Sequence, residues 1–268
     1  MASVRLATFN VLHGRSPSDG LVDLPRLREA VAAIDADVLG LQEVDRGQPR
    51  SNGHDLTAEA AAAMGGEGRF APAMMGTPGE RRRPADDDDD GAAPSDEPAY
   101  GIALISRLPV RRWAVARLPS IPVRAPIFGA GRTRRVVWLP DEPRVLLAAV
   151  LDTPGGLLTV ATTHLSFVPG WNGAQLRLAV RALRSLPAPR VLLGDLNLPG
   201  PLPRSLTGWR RLGALPTYPA DKPRVQLDHV LAHSRRPPRL VAARAPAVPI
   251  SDHRPLVVDL TEVSGRVF

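Results

Sequence analysis

The sequence contains no cysteine, few aromatic residues and a single lysine. Without cysteine the chain cannot form disulfide bonds, zinc ribbons or a thiol nucleophile, although this absence does not identify the compartment. Aromatic residues make up only 4% of the chain, which disfavours base stacking as a major source of nucleic-acid affinity. Lys222 is the only lysine, so arginine supplies 33 of the 34 basic side chains, a bias that a GC-rich genome alone can produce.

Long apolar runs are also missing. The longest, such as residues 145–151, are too short to cross a bilayer. The first residues lead directly into a strand-like segment at residues 4–10 and lack the basic and apolar regions of a targeting signal. We therefore expect a soluble, cytoplasmic protein and a monomer. No internal repeat or linker divides the 268 residues, which predicts one domain over residues 1–268.

The charge is unevenly distributed along the chain. The formal net charge is +7, yet the first 98 residues hold 18 acidic and 10 basic side chains. The remaining residues hold 9 acidic and 24 basic side chains. Such asymmetry is compatible with a polyanionic substrate but does not demonstrate one.

Strand and helix patterns alternate along the chain. Asp23 is a predicted cap for a helix whose apolar face is built from residues 24–34, and further helices are predicted at 56–64 and 174–186. Strands are predicted at residues 4–10, 37–43, 100–106, 134–139, 144–151, 157–163, 190–194, 226–232 and 256–260. The excess of strands over helices favours a mixed sheet system in an α/β fold.

Residues 76–98 are predicted to form a solvated and mobile acidic loop. The stretch holds three consecutive arginines and five consecutive aspartates but almost no apolar side chains. It therefore cannot bury enough surface to offset its ordering entropy. The aspartates lack the glycine and glutamate spacing of an EF-hand, so a calcium site is not predicted.

The informative polar side chains lie at the ends of apolar strand-like runs. They are Asn10, Glu43, His164, Asp195, Asn197, Asp228, Asp252 and His253. Each of them alone is explained as well by a turn, a helix cap or a surface pair. Their recurrence at strand ends along the whole chain favours a common site on a rigid scaffold.

These residue types suit one kind of chemistry. Carboxylates and asparagine oxygens are hard ligands that favour Mg²⁺ or Mn²⁺, ions that keep waters and engage substrate phosphate. Histidine beside aspartate handles protons or stabilises charge. A water attacking phosphorus needs only an acid to orient it and a metal to take up charge.

The motifs together resemble the endonuclease/exonuclease/phosphatase superfamily. They are Thr8-Phe9-Asn10-Val11, Leu41-Gln42-Glu43-Val44, Tyr100-Gly101 with Ser106-Arg107, Thr163-His164-Leu165, Gly194-Asp195-Leu196-Asn197, Leu227-Asp228-His229 and Ser251-Asp252-His253. They follow the order of the superfamily from residue 8 to residue 253, which is nearly the whole chain. The resemblance implies a four-layer α/β sandwich, with two central mixed β-sheets flanked by helices, that hydrolyses phosphate esters with a divalent metal.

The resemblance also implies roles for the matched residues. Glu43 is the expected principal metal ligand, assisted by Asn10 and Asp252. Asp195 is expected to orient or deprotonate the attacking water. Arg144 occupies a position where many relatives keep an arginine that faces the phosphate.

The remaining matched residues are implied to surround the phosphate. His253 is the expected general base or transition-state stabiliser, oriented by Asp228. Asn197 is expected to hold the phosphate, and His164 to bind it or to assist the leaving group. Tyr100 is expected to contact the same phosphate.

The chain departs from individual branches of the superfamily. Deoxyribonuclease-like members pair the equivalent of His164 with an acid where this chain has Tyr100, which argues against a symmetric two-histidine mechanism. Abasic-site endonucleases resemble the chain at Tyr100 but lack the histidine and carry basic inserts. The acidic stretch before Tyr100 would instead oppose a DNA backbone at the site rim.

Three functions remain open from the sequence. The leading expectation is a Mg²⁺- or Mn²⁺-dependent phosphodiesterase or nuclease that acts on a phosphate ester, with nucleic acid as one possible substrate. The second is a phosphomonoesterase acting on a sugar or inositol phosphate. The third is a non-catalytic binding protein that keeps the fold, which predicts at least one broken motif, and none is broken.

Overall fold

The computed structural model describes residues 3–91, 96–128, 136–235 and 238–261, and these ranges form fifteen strands and four α-helices. The helices are α1 (Leu24–Ile34), α2 (Leu56–Met64), α3 (Trp171–Leu183) and α4 (Leu202–Thr207). The strands are β1 (Ser3–Asn10), β2 (Val38–Arg46), β3 (Glu67–Gly76), β4 (Arg82–Pro84), β5 (Ala99–Ser106), β6 (Val110–Leu118), β7 (Arg124–Phe128), β8 (Val136–Pro140), β9 (Arg144–Thr153), β10 (Gly156–His164), β11 (Arg190–Asp195), β12 (Arg210–Arg211), β13 (Asp228–His233), β14 (Arg239–Arg244) and β15 (Leu256–Thr261).

Two helices begin at the aspartates that their sequences provide. Asp23 accepts a hydrogen bond from the Arg26 backbone N–H and starts α1, in which Pro25 occupies the first turn. Asp55 accepts two backbone bonds at the start of α2, which ends at Gly65 in the left-handed region with φ 68°. These caps satisfy backbone groups that helix ends leave unpaired.

The strands form two large mixed sheets. The seven-stranded sheet has the order β14-β15-β1-β2-β5-β3-β4, and the six-stranded sheet has the order β12-β13-β11-β10-β9-β6. Each contains one parallel pair, β1 with β2 in the first sheet and β10 with β11 in the second. The helices α1 and α3 make the crossovers of these pairs, as parallel neighbours require.

Three apolar cores hold the layers together. Leu6, Val38, Leu147 and Leu193 belong to the core that lies between the two sheets. A second core joins α1 and α2 to the outer face of the seven-stranded sheet, and a third joins α3 to the six-stranded sheet. The predicted four-layer α/β sandwich is therefore confirmed. None of the helices in the described chain has the length and apolar character needed to cross a membrane.

Several elements differ from the sequence prediction. Strands β3, β6 and β14 were not predicted, and the helix expected at residues 174–186 instead spans Trp171–Leu183. The first part of the strand predicted at 134–139 lies outside the described residues, and the rest belongs to β8. Arginine, proline and glycine interrupt the alternation of apolar and polar residues in these strands. Strands β6 and β14 lie at sheet edges, which tolerate such residues, and β3 is followed only by the three-residue β4.

Part of the acidic stretch at residues 76–98 forms regular structure and contacts the sheets. Residues 82–84 form β4 on the edge of the first sheet, and Ala85 is buried. The Arg117 guanidinium donates to the backbone carbonyls of Pro72, Asp86 and Asp89. Most side chains of residues 77–91 are exposed or half-buried, while a cation from β6 binds part of the loop backbone. The mobility of this stretch stays a prediction, and residues 92–95 lie outside the described chain.

Candidate active site

The two parallel strand pairs bring their carboxyl ends together. Asn10 ends β1 and Glu43 lies near the end of β2, whereas His164 and Asp195 end β10 and β11 in the other sheet. The Asn10 amide Nδ2 donates to Glu43 Oε1 at 3.0 Å and to Asp195 Oδ2 at 3.1 Å. Asn10 therefore links the two sheets at the point where open α/β sheets usually bind ligands.

Local backbone geometry directs these side chains into the site. The pairing of β2 with β5 shifts register between Leu41 and Val44, and Glu43 within this bulge has φ 55°. Asn197, two residues after β11, has φ 49°. Gly194 has φ 150°, and a Cβ there would lie 2.1 Å from the Thr163 carbonyl oxygen, so only glycine fits before Asp195. Strained backbone of this kind is typical of functional sites.

A buried polar bridge supports the site from below. Thr8 Oγ1 donates to Gln42 Oε1 at 3.1 Å, and Gln42 Nε2 donates to Thr162 Oγ1 at 2.8 Å. All three residues are fully buried. At Gly40 a Cβ would lie 2.6 Å from Thr162 Oγ1, so a larger residue would push the sheets apart. This bridge fixes the two halves of the site relative to each other.

His253 lies between two buried aspartates. Its Nδ1 is 2.9 Å from Asp228 Oδ2, and its Nε2 is 3.7 Å from Asp195 Oδ2. Burial alone lowers the pKa of His253, but the charges of Asp228 and Asp195 and the bond to Asp228 outweigh it and raise the pKa. Burial raises the pKa of the Asp195 carboxyl. The histidine is therefore an imidazolium that Asp228 holds in place.

His164 has the opposite charge state. Arg144 Nη1 lies 3.3 Å from His164 Nδ1, and because a guanidinium only donates, this nitrogen accepts. Burial and then the charge of Arg144 lower the pKa of His164 well below its usual value. The neutral ring then carries its proton on Nε2, which faces Asp195 Oδ2 at 3.6 Å. Asn197 Nδ2 lies 3.3 Å from the same nitrogen, but both groups are donors and form no hydrogen bond, and this amide donates instead to the Leu165 carbonyl at 3.0 Å. The two histidines are therefore chemically unequal.

Arg144 is a buried cation without a carboxylate partner. It is 6% exposed, its Nε has no hydrogen-bond partner, and it takes part in no ion pair within the described ranges. Half-buried Tyr100 is close enough for the charges of Arg144 and Glu43 to act on it, and burial raises the pKa of its hydroxyl. Burying an unpaired charge costs several kcal/mol in general, so such a group is typical of an anion site.

The carboxylates of Glu43 and Asp252 fit a divalent cation. Neither forms an ion pair with arginine in the part of the chain that the structure describes, and only one oxygen of Glu43 is engaged, by Asn10. Burial raises the pKa of Glu43, and the charge of Asp252 raises it further. Two hard oxygen donors that repel each other are suitable ligands for Mg²⁺ or Mn²⁺.

A second acidic group is less suitable for a metal. Asp195, Asp228 and His253 place ligand atoms within 4.8 Å of one another. However, the Nδ1–H of His253 already donates to Asp228, and Asp228 is fully buried. This group is better described as a proton-handling triad. In contrast to its predicted metal role, Asn10 turns its amide nitrogen towards the carboxylates, while its Oδ1 accepts from the Leu12 backbone.

Tyr218 is a site neighbour that sequence reasoning missed. Its ring packs against His253 with the centroids 4.9 Å apart and the planes tilted by 49°. The Ala220 N–H donates to the Asp252 carbonyl, and the Arg254 N–H donates to the Thr217 carbonyl, so this loop is fixed to the His253 loop. The Thr-Tyr-Pro segment lies in no strand or helix pattern of the sequence. The only signal for Tyr218 was that the sequence contains just two tyrosines.

Comparisons with known proteins agree with this fold. The model of the Endonuclease/Exonuclease/phosphatase family matches residues 7–253. A solved endonuclease/exonuclease/phosphatase from Beutenbergia cavernae is 26% identical, with a TM-score of 0.69 over 97% of this chain and 72% of that one. Another from Bacteroides vulgatus is 18% identical, with a TM-score of 0.67 over 97% and 99% of the two chains.

A mannosyl-6-phosphatase from Bacteroides thetaiotaomicron has the same fold. It is 14% identical, with a TM-score of 0.64 over 96% of this chain and 99% of that one. A search of curated proteins gave no match. The family match covers the whole span from the first to the last site residue. The chain thus belongs to the Endonuclease/Exonuclease/phosphatase family, whose members are phosphoester hydrolases.

Proposed function

We propose that the protein is a Mg²⁺- or Mn²⁺-dependent phosphodiesterase or nuclease that uses water as the nucleophile. The observation that supports this most is the buried Arg144, which has no carboxylate partner in the described chain although its charge acts on Glu43. A substrate phosphate supplies the missing anion. The carboxylates beside it would repel such a group unless a metal ion neutralised them.

The protein's own residues can carry the water chemistry. In the proposed reaction Asp195 accepts the proton of the attacking water, and its raised pKa suits a base near neutral pH. Asn10 holds the Asp195 carboxylate through the bond at 3.1 Å. The His253 imidazolium, oriented by Asp228, stabilises negative charge that develops on the phosphoryl oxygens.

The opposite wall binds the phosphate. Arg144 and Asn197 donate to its non-bridging oxygens, and neutral His164 directs Nε2–H towards the leaving oxygen. Tyr100 contributes a neutral hydroxyl from the side of Glu43. Glu43 and Asp252 would hold the metal ion, which supplies Lewis-acid stabilisation when bound.

Hydrolysis of a simple diester tests the proposal. Bis(p-nitrophenyl) phosphate and supercoiled plasmid should be cleaved with Mg²⁺ or Mn²⁺ and should survive in excess EDTA. Asp195→Ala and His253→Ala should be inactive. Activity that persists in EDTA, or in either variant, contradicts the mechanism.

The same assay separates the other functions. Faster release from p-nitrophenyl phosphate and from sugar phosphates than from diesters would indicate the phosphomonoesterase alternative. No turnover of any ester would indicate a binding protein. A cytoplasmic location and a monomeric state stay predictions of the sequence.

A further inference from the structure

The hairpin of β7 and β8 belongs to neither large sheet. These two strands form a separate two-stranded sheet between β6 and β9 in the chain. Trp138 on β8 is 59% exposed, which is unusual for the largest apolar side chain in a protein with only four tryptophans. Val123 and Leu139 are 41% and 38% exposed beside it. Neighbouring exposed apolar side chains, rimmed by polar residues, are one mark of a binding surface.

One face of the hairpin combines an indole with a cation. The pairs Arg124–Pro140 and Pro126–Trp138 lie directly opposite in the antiparallel ladder, so the four residues share a face. All four are exposed. Arg124 forms no ion pair with any described residue. We call these four residues the outer face of the hairpin.

The base of the hairpin is attached to the active site. Asp141, directly after β8, accepts the Ser166 hydroxyl at 2.5 Å and the Ile121 N–H at 3.0 Å. Its own N–H donates to the Val123 carbonyl at 3.0 Å. Ser166 follows His164 by two residues, and Arg144 follows Asp141 by three. The start of β7 and the end of β8 are thus fixed beside residues that face the proposed phosphate.

The sequence of the hairpin and of the strand before it is basic. Residues 98–140 contain eight arginines and no acidic residue, and Asp141 and Glu142 follow directly. Arg107 and Arg111 already pair with Asp35 and Asp152, whereas Arg112 and Arg124 form no ion pair with a described residue. Residues 129–135, which connect the two strands and lie outside the described chain, read Gly-Ala-Gly-Arg-Thr-Arg-Arg. This composition favours an anionic partner. It disfavours insertion into a bilayer, which requires an apolar connection between the strands.

We propose that the outer face of the hairpin binds a single strand of nucleic acid several nucleotides away from the bond that is cut. Trp138 stacks on a base, and Arg124 contacts a backbone phosphate. This contact would identify nucleic acid as the substrate class of the proposed hydrolase, and it rests on that proposed function. One exposed indole is enough for such a local contact, despite the low aromatic content of the chain.

The chain geometry limits the reach of this contact. Trp138 and Arg144 are six positions apart in the chain, so their Cα atoms are at most about 20 Å apart. At about 3.4 Å per stacked nucleotide, a strand of about six nucleotides is long enough to contact both residues. Strands of at least this length should therefore bind more tightly than a three-nucleotide strand.

Binding in EDTA, where no cleavage is expected, tests the proposal. Fluorescence anisotropy would follow labelled twelve-nucleotide and three-nucleotide single strands, each as DNA and as RNA. Trp138→Ala should weaken binding of the longer strands by about five- to hundredfold, the range for one base stacked on an aromatic ring. Trp138→Phe should keep most of the affinity. Arg124→Ala should reduce the slope of log affinity against log salt by about 0.7, as expected for one lost phosphate contact.

A matched pair of substitutions on β14 serves as the control. Val241 is 60% exposed and Arg239 is exposed, and both lie on β14, an edge strand of the seven-stranded sheet. Val241→Ala and Arg239→Ala should leave affinity unchanged. Equal affinities of Trp138→Ala and Val241→Ala for the longer strand would overturn the proposal. The proposal would also be overturned if the protein bound anionic phosphatidylserine vesicles more tightly than oligonucleotides and if Trp138→Ala abolished this vesicle binding.

Hydrolysis of bis(p-nitrophenyl) phosphate keeps the two proposals distinguishable. Trp138 is not among the residues placed around the phosphate, so Trp138→Ala should hydrolyse this small diester at the wild-type rate. Loss of oligonucleotide binding with intact diester hydrolysis supports the inference. Diester hydrolysis without any contribution of Trp138 to binding refutes the inference alone, whereas absence of hydrolysis refutes the proposed function.

Discussion

Replacing Arg144 with methionine removes a cation that is 6% exposed and has no carboxylate partner in the described ranges. Methionine keeps the apolar stem, so the packing around β9 is preserved. Among the described residues the guanidinium donates only to His164, at 3.3 Å, and its remaining N–H groups are available to a phosphate. The substitution therefore separates substrate binding from folding.

The expected magnitude follows from the contacts that are lost. A hydrogen bond to a charged group contributes about 1.5–3 kcal/mol, and removal of one transition-state donor in an active site costs about 2.7–4 kcal/mol. At about 1.4 kcal/mol per factor of ten, kcat/KM should fall by about 10²–10³. Arg144→Lys keeps the charge but not the planar pair of donors, so we expect an intermediate loss of about tenfold.

Two measurements check this prediction. Steady-state hydrolysis of bis(p-nitrophenyl) phosphate gives kcat/KM, and thermal unfolding with inorganic phosphate reports binding. Phosphate at 100 times its Kd stabilises by about 2.7 kcal/mol, which corresponds to about 5–10 °C in Tm for a protein of this size. The methionine variant should show no such shift.

Charge removal should also change the neighbouring histidine. Because the guanidinium charge helps to lower the pKa of His164, this pKa should rise in Arg144→Met, as NMR titration would show. Arg28→Met, which removes an exposed pair with Glu59, is the control and should change neither activity nor the phosphate shift. A folded Arg144→Met variant with activity within about threefold of wild type, or with a normal phosphate shift, would refute the reasoning.

Three further predictions concern the metal, the base and a buried histidine. Glu43→Gln should weaken Mn²⁺ binding by at least tenfold in calorimetric titration and lower the rate at limiting metal; unchanged affinity would show that the ion binds elsewhere. Asp195→Asn should lower kcat by at least 10² with little change in KM, because the amide cannot accept the water proton; a loss in KM alone would assign Asp195 to binding. Burial lowers the pKa of His229 to about 4. Since the unfolded state takes up this proton first, the wild-type protein should lose about 2–3 kcal/mol of stability as the pH falls from 6.5 to 4, and urea unfolding of His229→Gln should show a smaller loss. Parallel pH profiles of the two proteins would contradict this assignment.

The strand-end pattern predicted that these polar residues converge because the fold contains parallel pairs. Asn10 and His164 each end a strand whose parallel partner carries a carboxylate at or near its end, Glu43 in β2 and Asp195 in β11, and these ends converge by topology alone. The predicted partnership of Asp228 with His253 is present at 2.9 Å. Apolar runs identified the central strands because those strands are buried on both faces.

Features that depend on distant partners could not be predicted. The backbone carbonyls of Asp86 and Asp89 accept from Arg117, a residue on a later strand that its own sequence pattern did not reveal. The contact of Tyr218 with His253 depends on how two irregular loops meet. The charge states of His164 and His253 differ because one faces a guanidinium and the other two carboxylates, which is a property of the assembled site.

The arrangement of the two sheets has a consequence for how the enzyme is made. Residues 110–233 supply the whole six-stranded sheet, whereas the other sheet needs strands from both sides of this segment. Its closure pairs Ser3 with Thr261, and the Ser251 hydroxyl binds the Asn10 carbonyl across 241 residues of sequence. Contacts between residues so far apart in sequence form late in folding, because the chain must first be closed into a large loop. A ribosome-bound chain that has not yet released β15 therefore carries no assembled site, and hydrolysis begins only after synthesis has passed His253.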